Sequence, residues 1–426
     1  MNISIPKGVF DIVPNPVKEE LSWQASDLWA YVEGVIRRIS YEYGFREIRT
    51  PLFERTELFK RGVGETSDIV TKEMYTFDDK GGRSMTLRPE GTASVLRSFL
   101  EKSMHHSSPL NKLFYIAPMF RYERQQAGRY RQHHQFGVEA IGGGAPEHDA
   151  EVIAMMYNFY KRLGIEKFSI KINSVGDAES RNRFRDVLQD VLRPHLPELS
   201  ADSKERFEKN PLRILDSKAP EDQQFIREVP SILDSLNDEC RDHFSQVCSL
   251  LDDLSIPYDI TPSLVRGLDY YSNTVFEATA DDLGAQNSIG GGGRYASLIK
   301  TLGGPDLPAI GFGIGIERVI MTMLSQGAKF PEKPHPTLYI IPLGDEARSR
   351  CFLVLQNLRD KGIAAEMDFS GKKLKKVMGY ADSIGAKYSV VVGADELASG
   401  TVKVKEMSSG DVRDAALDAL ADILTS

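Results

Sequence analysis

The stretch AIGFGIGIERV, residues 309–319, limits the fold more than any other in the chain. Gly311, Gly313 and Gly315 alternate with Ile310, Phe312, Ile314 and Ile316. Successive side chains of a strand point to opposite faces, so one face here is bare and the other wholly apolar. The apolar face demands a core. The bare face admits close approach, either by a planar ligand such as adenine, for which it would be a platform, or by a tightly packed neighbour. Arg318 stands at the start of the following helix, where it could reach a phosphate. Four more glycines, Gly290 to Gly293 in SIGGGGRY, imply a second close backbone approach or a sharp bend. A dinucleotide fingerprint would need glycine at 316, where isoleucine stands. No Gly-Lys-Ser/Thr follows the four glycines, which excludes a P-loop.

The rest of the chain supplies the sheet. Residues 17–43 read as one long amphipathic helix ending at Gly44, with Leu21, Leu28, Val32, Val35 and Ile39 at helical spacing. Extended segments follow in EIRTPLFE, MYTF, SMTLRP, KLFYIAPMFRYER and HQFGVEAIG, which points to an antiparallel sheet flanked by helices. From Ser174 the sequence turns charged and helical, with repeated prolines, until strand-like residues resume at Leu264. We therefore expect one core domain over 1–173 and 261–328, interrupted by a helical insertion at 174–260. The prolines of KFPEKPHPT mark a stiff linker at 329–336. Beyond it, 337–426 alternates strands (TLYIIPL, IAAEMDF, YSVVVGA) with helices at 346–361, 372–384 and 411–424. The class is α+β, with a small α/β domain at the C-terminal end.

Composition matters mainly for what it excludes. A formal charge of −8 offers no global attraction to nucleic acid, so any such partner must meet local basic patches. Cys240, Cys248 and Cys351 have no metal-ligand or disulfide spacing and fit a reducing, cytoplasmic setting. The first residues, MNISIPKGVFDIVPNP, lack the apolar run of a signal peptide, and no run approaches a membrane span.

Three stretches carry chemistry. In MFRYERQQAGRYRQHHQFGVEAIG, strand alternation puts Arg121 and Glu123 on one face, and Gln135, Gly137 and Glu139 on one face of the return strand. If the two pair as a hairpin, that face suits a ligand with both an anion and an amine; a solvated polar hairpin is the plainer reading. The loop carries Arg124, Arg129 and Arg131 around Tyr130, a basic contact for nucleotide or RNA phosphate. In TLRPEGTAS, Glu90 and Thr92 could hold an ammonium group, or simply cap the next helix. In LVRGLDYYSNTVFE, Arg266 interrupts strand-like residues; a buried salt bridge, to Asp269 for example, competes with a ligand contact. The pairs His105-His106 and His133-His134 suit no chelate and read as surface or loop histidines. The run KKLKK at 372–376 reads as a solvated helix face, of interest only if its domain meets RNA.

Together these stretches resemble the class II aminoacyl-tRNA synthetases, and most closely the histidyl-tRNA synthetase family. PKGVFDIVP is similar to that family's N-terminal signature, and YGFREIRTPLFERTELF to the first class motif, which ends at Pro51 and builds a dimer interface. FRYER…GRYRQHHQFGVEAIG resembles the second motif and GFGIGIERV the third, while VRGLDYY, GGGGRY and NPLRILDSK resemble stretches peculiar to the histidine enzymes. The chain departs from the usual pattern at Ala296-Ser297 and Val9-Phe10.

The resemblance implies a class II antiparallel-sheet catalytic core with a helical insertion, a C-terminal α/β anticodon-binding domain, and a homodimer. It implies that L-histidine is activated by ATP with Mg²⁺ and transferred to tRNA(His). Glu90 and Thr92 would contact histidine, Gln135 and Glu139 its α-ammonium, and Tyr270, Tyr271 and Tyr295 its imidazole. Arg121 and Arg266 would flank the α-phosphate as the catalytic pair; Glu123 would contact the adenine side and Arg318 the γ-phosphate. Arg124, Arg129 and Arg131 would lie near the tRNA acceptor end, and the protein alone would hold no metal. The rival is a related non-catalytic regulatory subunit of ATP phosphoribosyltransferase, which generally lacks the C-terminal domain.

Overall fold

The glycine strand lies inside an eight-stranded sheet, with neighbours on both edges. The computed structural model describes residues 3–64, 67, 69–123, 128–266, 270–281 and 287–425. Two units separate at 330/331. In the first, the strands are β1 (Arg46–Glu47), β2 (Phe53–Arg55), β3 (Tyr75–Asp78), β4 (Ser84–Leu87), β5 (Asn111–Phe120) and β6 (Gln132–Ile141). They continue with β7 (Ser169–Ser174), β8 (Asp259–Ile260), β9 (Ser272–Thr279), β10 (Ser288–Tyr295) and β11 (Ala309–Gly315). The large sheet runs β1-β5-β6-β11-β10-β9-β7-β8, and β2-β4-β3 form a small one. All neighbours in the large sheet are antiparallel except the two outermost pairs.

The helices of this unit are α1 (Ser26–Glu42), α2 (Thr56–Val63), α3 (Thr92–Glu101), α4 (Pro146–Arg162), α5 (Ala178–Leu192), α6 (Ala201–Lys209), α7 (Pro220–Ile226), α8 (Asp238–Asp253), α9 (Leu298–Thr301) and α10 (Ile316–Ser325). The apolar side of the glycine strand meets the demand its sequence makes. Ile310, Phe312 and Ile314 pack with Phe136, Val138 and Phe276 of adjacent strands and with α1, α4, α8 and α10, through residues such as Ile36, Phe159, Val247 and Val319. Fully burying side chains of this kind contributes about 1.5–3 kcal/mol each, so the sheet's orientation is strongly fixed. The face bearing the glycines is left for polar side chains.

Two local expectations are corrected. The helix read over 17–43 is broken: a short 3-10 helix spans Glu19–Gln24, Ala25 is extended, and α1 begins at Ser26. Val13 causes the break, because it accepts from the Ser26 N–H and donates to the Gln24 carbonyl, backbone groups a continuous helix would have used. Strand structure also does not resume at Leu264; β9 begins at Ser272. The Leu264 carbonyl instead accepts from the Asn173 side chain at 3.0 Å, and Leu264 and Val265 pack beside Phe184, Leu188 and Phe207 of the helical segment.

In the second unit β12 (Leu338–Pro342), β13 (Ala365–Met367), β14 (Tyr388–Val392), β15 (Thr401–Glu406) and β16 (Val412–Ala416) are ordered β13-β12-β14-β15-β16. The helices are α11 (Asp345–Asp360), α12 (Leu374–Ser383), α13 (Ala394–Ser399) and α14 (Leu420–Thr425). The helix expected over 411–424 is therefore half strand. Alanines and leucines favour helix there, but pairing with β15 and burial of Val402, Val404 and Ala415 prevail.

Candidate active site

The hairpin of β5 and β6 brings the first functional group to the glycine face. In its register Leu113 faces Glu139, Tyr115 faces Gly137 and Ala117 faces Gln135. On β6's other side, Gly311 pairs with Glu139 and Gly313 with Gly137. This pairing explains the glycines. A Cβ on Gly311 would stand 2.3 Å from the Glu139 carboxylate, and one on Gly313 only 1.9 Å from the Gln135 amide nitrogen. On β10, a Cβ at Gly291 would meet the Arg266 guanidinium at 2.9 Å, and one at Gly293 the Tyr271 ring at 2.9 Å. The bare strand faces are thus floors beneath polar side chains, and the open stretch that a planar ligand would need shrinks to Gly315, where nothing among the described residues lies within 4 Å of a Cβ.

One end of the cleft is carboxylate-rich and dry. Glu139 is 1% exposed and accepts hydrogen bonds from Thr92 Oγ1 at 2.7 Å and Tyr295 Oη at 2.5 Å. Burial pushes its carboxyl up to about 8, against the pull of those two donors and with the charge of Glu90 adding to the rise. Glu90 is 3% exposed; its oxygens accept from the backbone N–H groups of Thr92 (2.7 Å) and Ala93 (2.9 Å), and burial raises it too. Glu90 therefore caps α3 and faces the cleft at once. Burial also keeps the Tyr270 and Tyr295 hydroxyls protonated, as donors. Gln135 Oε1 is buried with no hydrogen-bond partner among the described residues. Two buried carboxylates and an unpaired acceptor make a receptor for a cation with several N–H donors.

The other end is built from arginines, each held. Arg121, just past β5, donates from Nε to the Pro89 carbonyl at 2.8 Å and stands 3.9 Å from Glu123. Arg266 is ion-paired with Glu277 of β9. The partner is thus Glu277; Asp269 lies outside the described residues. Arg318, on the first turn of α10, donates from Nε to the Gly128 carbonyl at 3.1 Å and from Nη1 to the Ser288 carbonyl.

The cleft is lined by Glu90, Thr92, Arg121, Glu123, Arg129 and Gln135 from the first part of the chain. Glu139, Arg266, Tyr270, Tyr271, Tyr295 and Arg318 line it as well. Arg129 pairs with Glu123 at 3.1 Å. Arg131 does not join them: its guanidinium lies 3.9 Å over the Tyr122 ring, and its stem packs against Gly8. Arg124 lies outside the described residues. The histidines need correction as well. His133 and His134 are on β6, not on a loop; His133 lines the cleft, where burial and the neighbouring arginines push it down to about 3. His134 Nδ1 is 2.9 Å from Glu317. Sequence reasoning also missed Tyr115, which threads between Gly91 and Gly137 and reaches within 3.5 Å of Glu139; its signal was the pair of glycines that make room for it. Among the described residues no group of three potential ligands could hold a metal ion.

Comparison with known proteins decides the family. Residues 24–319 match the family model described as histidyl-tRNA synthetase, and 337–426 match that of an anticodon binding domain. The chain belongs to the histidyl-tRNA synthetase family. It is 59% identical over 424 residues to the histidine–tRNA ligase of Protochlamydia amoebophila, with all of both chains covered. Against the Chlamydia abortus enzyme of that name identity is 51% over 408 residues, covering 96% of this chain and 94% of the other. The apo histidyl-tRNA synthetase of S. aureus superposes with a TM-score of 0.84 at 39% identity over all of both chains. A Bacillus halodurans chain described as an ATP phosphoribosyltransferase regulatory subunit/histidyl-tRNA synthetase shares the fold, with a TM-score of 0.66 at 21% identity, covering 92% of this chain and 99% of that one.

Proposed function

We propose that this chain is a histidine–tRNA ligase. It activates L-histidine with ATP to histidyl-adenylate and diphosphate, then transfers histidine to the 3′-terminal ribose of tRNA(His), releasing AMP. The observation that carries the assignment of roles is the polarity of the cleft, with buried Glu90 and Glu139 at one end and Arg121, Arg266 and Arg318 at the other. An amino acid laid between them places its ammonium among Glu139, Gln135 and Thr92, and its side chain between Tyr270, Tyr271 and Tyr295. Its carboxylate then points to the arginines.

Both reactants of the first step are anions, so the demand on the protein is alignment and charge neutralisation, not a general base. Arg121 and Arg266 meet it from two sides of the α-phosphate, each with a fixed planar charge. The histidine carboxylate oxygen bonds to phosphorus as the bond to diphosphate breaks. Arg318 holds the γ-phosphate and Glu123 the adenine side. Mg²⁺ would arrive with the ATP phosphates; Glu123 and Glu277, which line a cavity together with Arg121 and Arg266, are the carboxylates that would hold it, and it would neutralise phosphate charge there. In the second step the terminal hydroxyl attacks the activated carbonyl and AMP leaves with the phosphate oxygen.

Three partner readings accompany this. The C-terminal unit takes the anticodon: Tyr339, Phe369 and Tyr380 line one cleft with Arg359, Lys372 and Lys376, aromatic faces for bases beside cations for phosphates. This makes part of the KKLKK run a contact surface. A homodimer fits the exposed Leu52, Phe53 and Phe77 on and beside the small sheet, an apolar patch open to solvent in one chain. Arg124, Arg129 and Arg131 belong near the acceptor end, and a cytoplasmic setting fits three free thiols.

ATP–diphosphate exchange measured with each amino acid in turn tests the assignment. Exchange with histidine alone is expected. Exchange with none would favour a regulatory subunit, and exchange with another amino acid would overturn the specificity.

A further inference from the structure

Behind the tyrosines that wall the pocket, β9 and β10 slip register. Gly293 pairs with Val275, but the next residue, Arg294, pairs with Ser272, so Asn273 and Thr274 form a bulge in β9. Asn273 takes φ +49, a conformation few non-glycine residues adopt. Pocket residues flank this bulge. Tyr271 precedes β9 and lies over Gly293, while Tyr295 follows Arg294 and donates to Glu139. Bulges beside active sites commonly re-aim side chains in this way.

Asp149 of α4, fully buried, holds the slip together. One of its oxygens accepts from Thr274 Oγ1 at 2.7 Å and from Arg294 Nε at 3.2 Å; the other takes Arg294 Nη2. His243 of α8 brings Nε2 within 2.6 Å of the first oxygen. Arg294, 2% exposed, completes its bonds with the carbonyls of Gly143 (2.8 Å) and Ala145 (3.2 Å). Packing α4 on the sheet does not need this: apolar residues hold helix to sheet as well or better than a buried ion pair. What the carboxylate does, and an apolar residue could not, is grip one side chain from each strand of the slip.

We propose that Asp149 is a positioning residue for amino-acid selection. By pinning Thr274 and Arg294 it fixes the separation of Tyr271 and Tyr295, and with it the width of the slot for the imidazole. The inference rests on the reading of those tyrosines as walls of the histidine pocket.

Asp149→Asn would leave Arg294 buried without a counter-charge and puts folding itself at stake. The decisive variant is Thr274→Val, which keeps the shape and removes only the hydroxyl donor. In ATP–diphosphate exchange the KM for histidine is expected to rise about three- to tenfold, the range of one lost hydrogen bond, with the KM for ATP and kcat within about twofold. Thr274→Ser, which keeps the hydroxyl, should restore the parent KM. Val152→Ala, a core truncation on the same helix, should lower the melting temperature without moving the KM for histidine. A parent-like KM in Thr274→Val, a joint rise for histidine and ATP, or no rescue by serine would overturn the proposal. Tyr295→Phe separates this from the pocket reading. An unchanged KM for histidine there defeats the pocket, whereas a raised one beside a silent Thr274→Val defeats only the positioning role.

Discussion

The two ends of the cleft solve opposite problems by opposite means. At the carboxylate end Glu90 and Glu139 are almost wholly out of water and, apart from helix N–H groups, receive their hydrogen bonds from neutral hydroxyls. Among the described residues neither forms an ion pair, and in the proposed reading the ammonium of the amino acid would supply one. At the arginine end Arg266 is paired with Glu277 and Arg129 with Glu123, and the groups are less deeply buried. In the proposed reading the first end is under an electrostatic tension that a bound ammonium would relieve. The second is prepared in advance, its charges held in place by these pairs. Selectivity for an ammonium suits the former, and transition-state stabilisation, which must not wait for reorganisation, suits the latter.

The difference can be broken most sharply at the arginine end. Arg266→Ala should reduce ATP–diphosphate exchange by about a hundredfold or more, the effect of removing one transition-state donor, with circular dichroism showing an intact fold. Near-normal exchange would refute its role. At the carboxylate end, Glu139→Gln should raise the KM for histidine by roughly ten- to a hundredfold, as expected for losing a charge-assisted hydrogen bond. The KM for ATP should stay close to parent.

The pH dependence sharpens the same contrast. Because Glu139 is raised from 4.5 to about 8, the folded ligand-free protein favours its neutral form. That contribution to stability is fully present below the ordinary value and is lost as pH rises through about 8. Binding an ammonium requires the carboxylate, so affinity for histidine should improve between pH 6 and 8. The shift in melting temperature caused by histidine should grow over the same range. Titrations of Glu139→Gln isolate the contribution of histidine's own imidazole, and a parent-like pH profile in that variant would exclude Glu139 as its source. The smallest effect concerns the glycine floor. Gly313→Ala, which drives a methyl into Gln135, should raise the KM for histidine, whereas Gly315→Ala should alter only that for ATP.

Much of this was legible in the sequence, for identifiable reasons. The alternation of glycine with Ile310, Phe312 and Ile314 announced both a strand and its buried side, because period-two patterning maps directly onto a sheet. Arg266 was visible as an anomaly, but its partner was not. Glu277 lies eleven positions on, and no local pattern encodes their meeting. The purpose of Gly311 and Gly313 was likewise hidden, since their neighbours Glu139 and Gln135 come from a strand far away in sequence. Tertiary pairing also overrode local preference at Ala25 and in β16. Local patterns report what a residue can do; which long-range partner it meets must come from the assembled sheet.

That distance has a consequence during synthesis. β6 ends at Ile141 and its partner β11 starts at Ala309, so at roughly 5–20 residues per second the edge of β6 waits on the order of ten to thirty seconds for its neighbour. Throughout that interval a nascent chain carries Phe136 and Val138 beside unpaired backbone groups. The glycine strand is thus the closing piece of the sheet. A ribosome that stalls within the helical segment would present an open strand edge to other chains, and early holding by a chaperone would matter more for this enzyme than its final stability suggests.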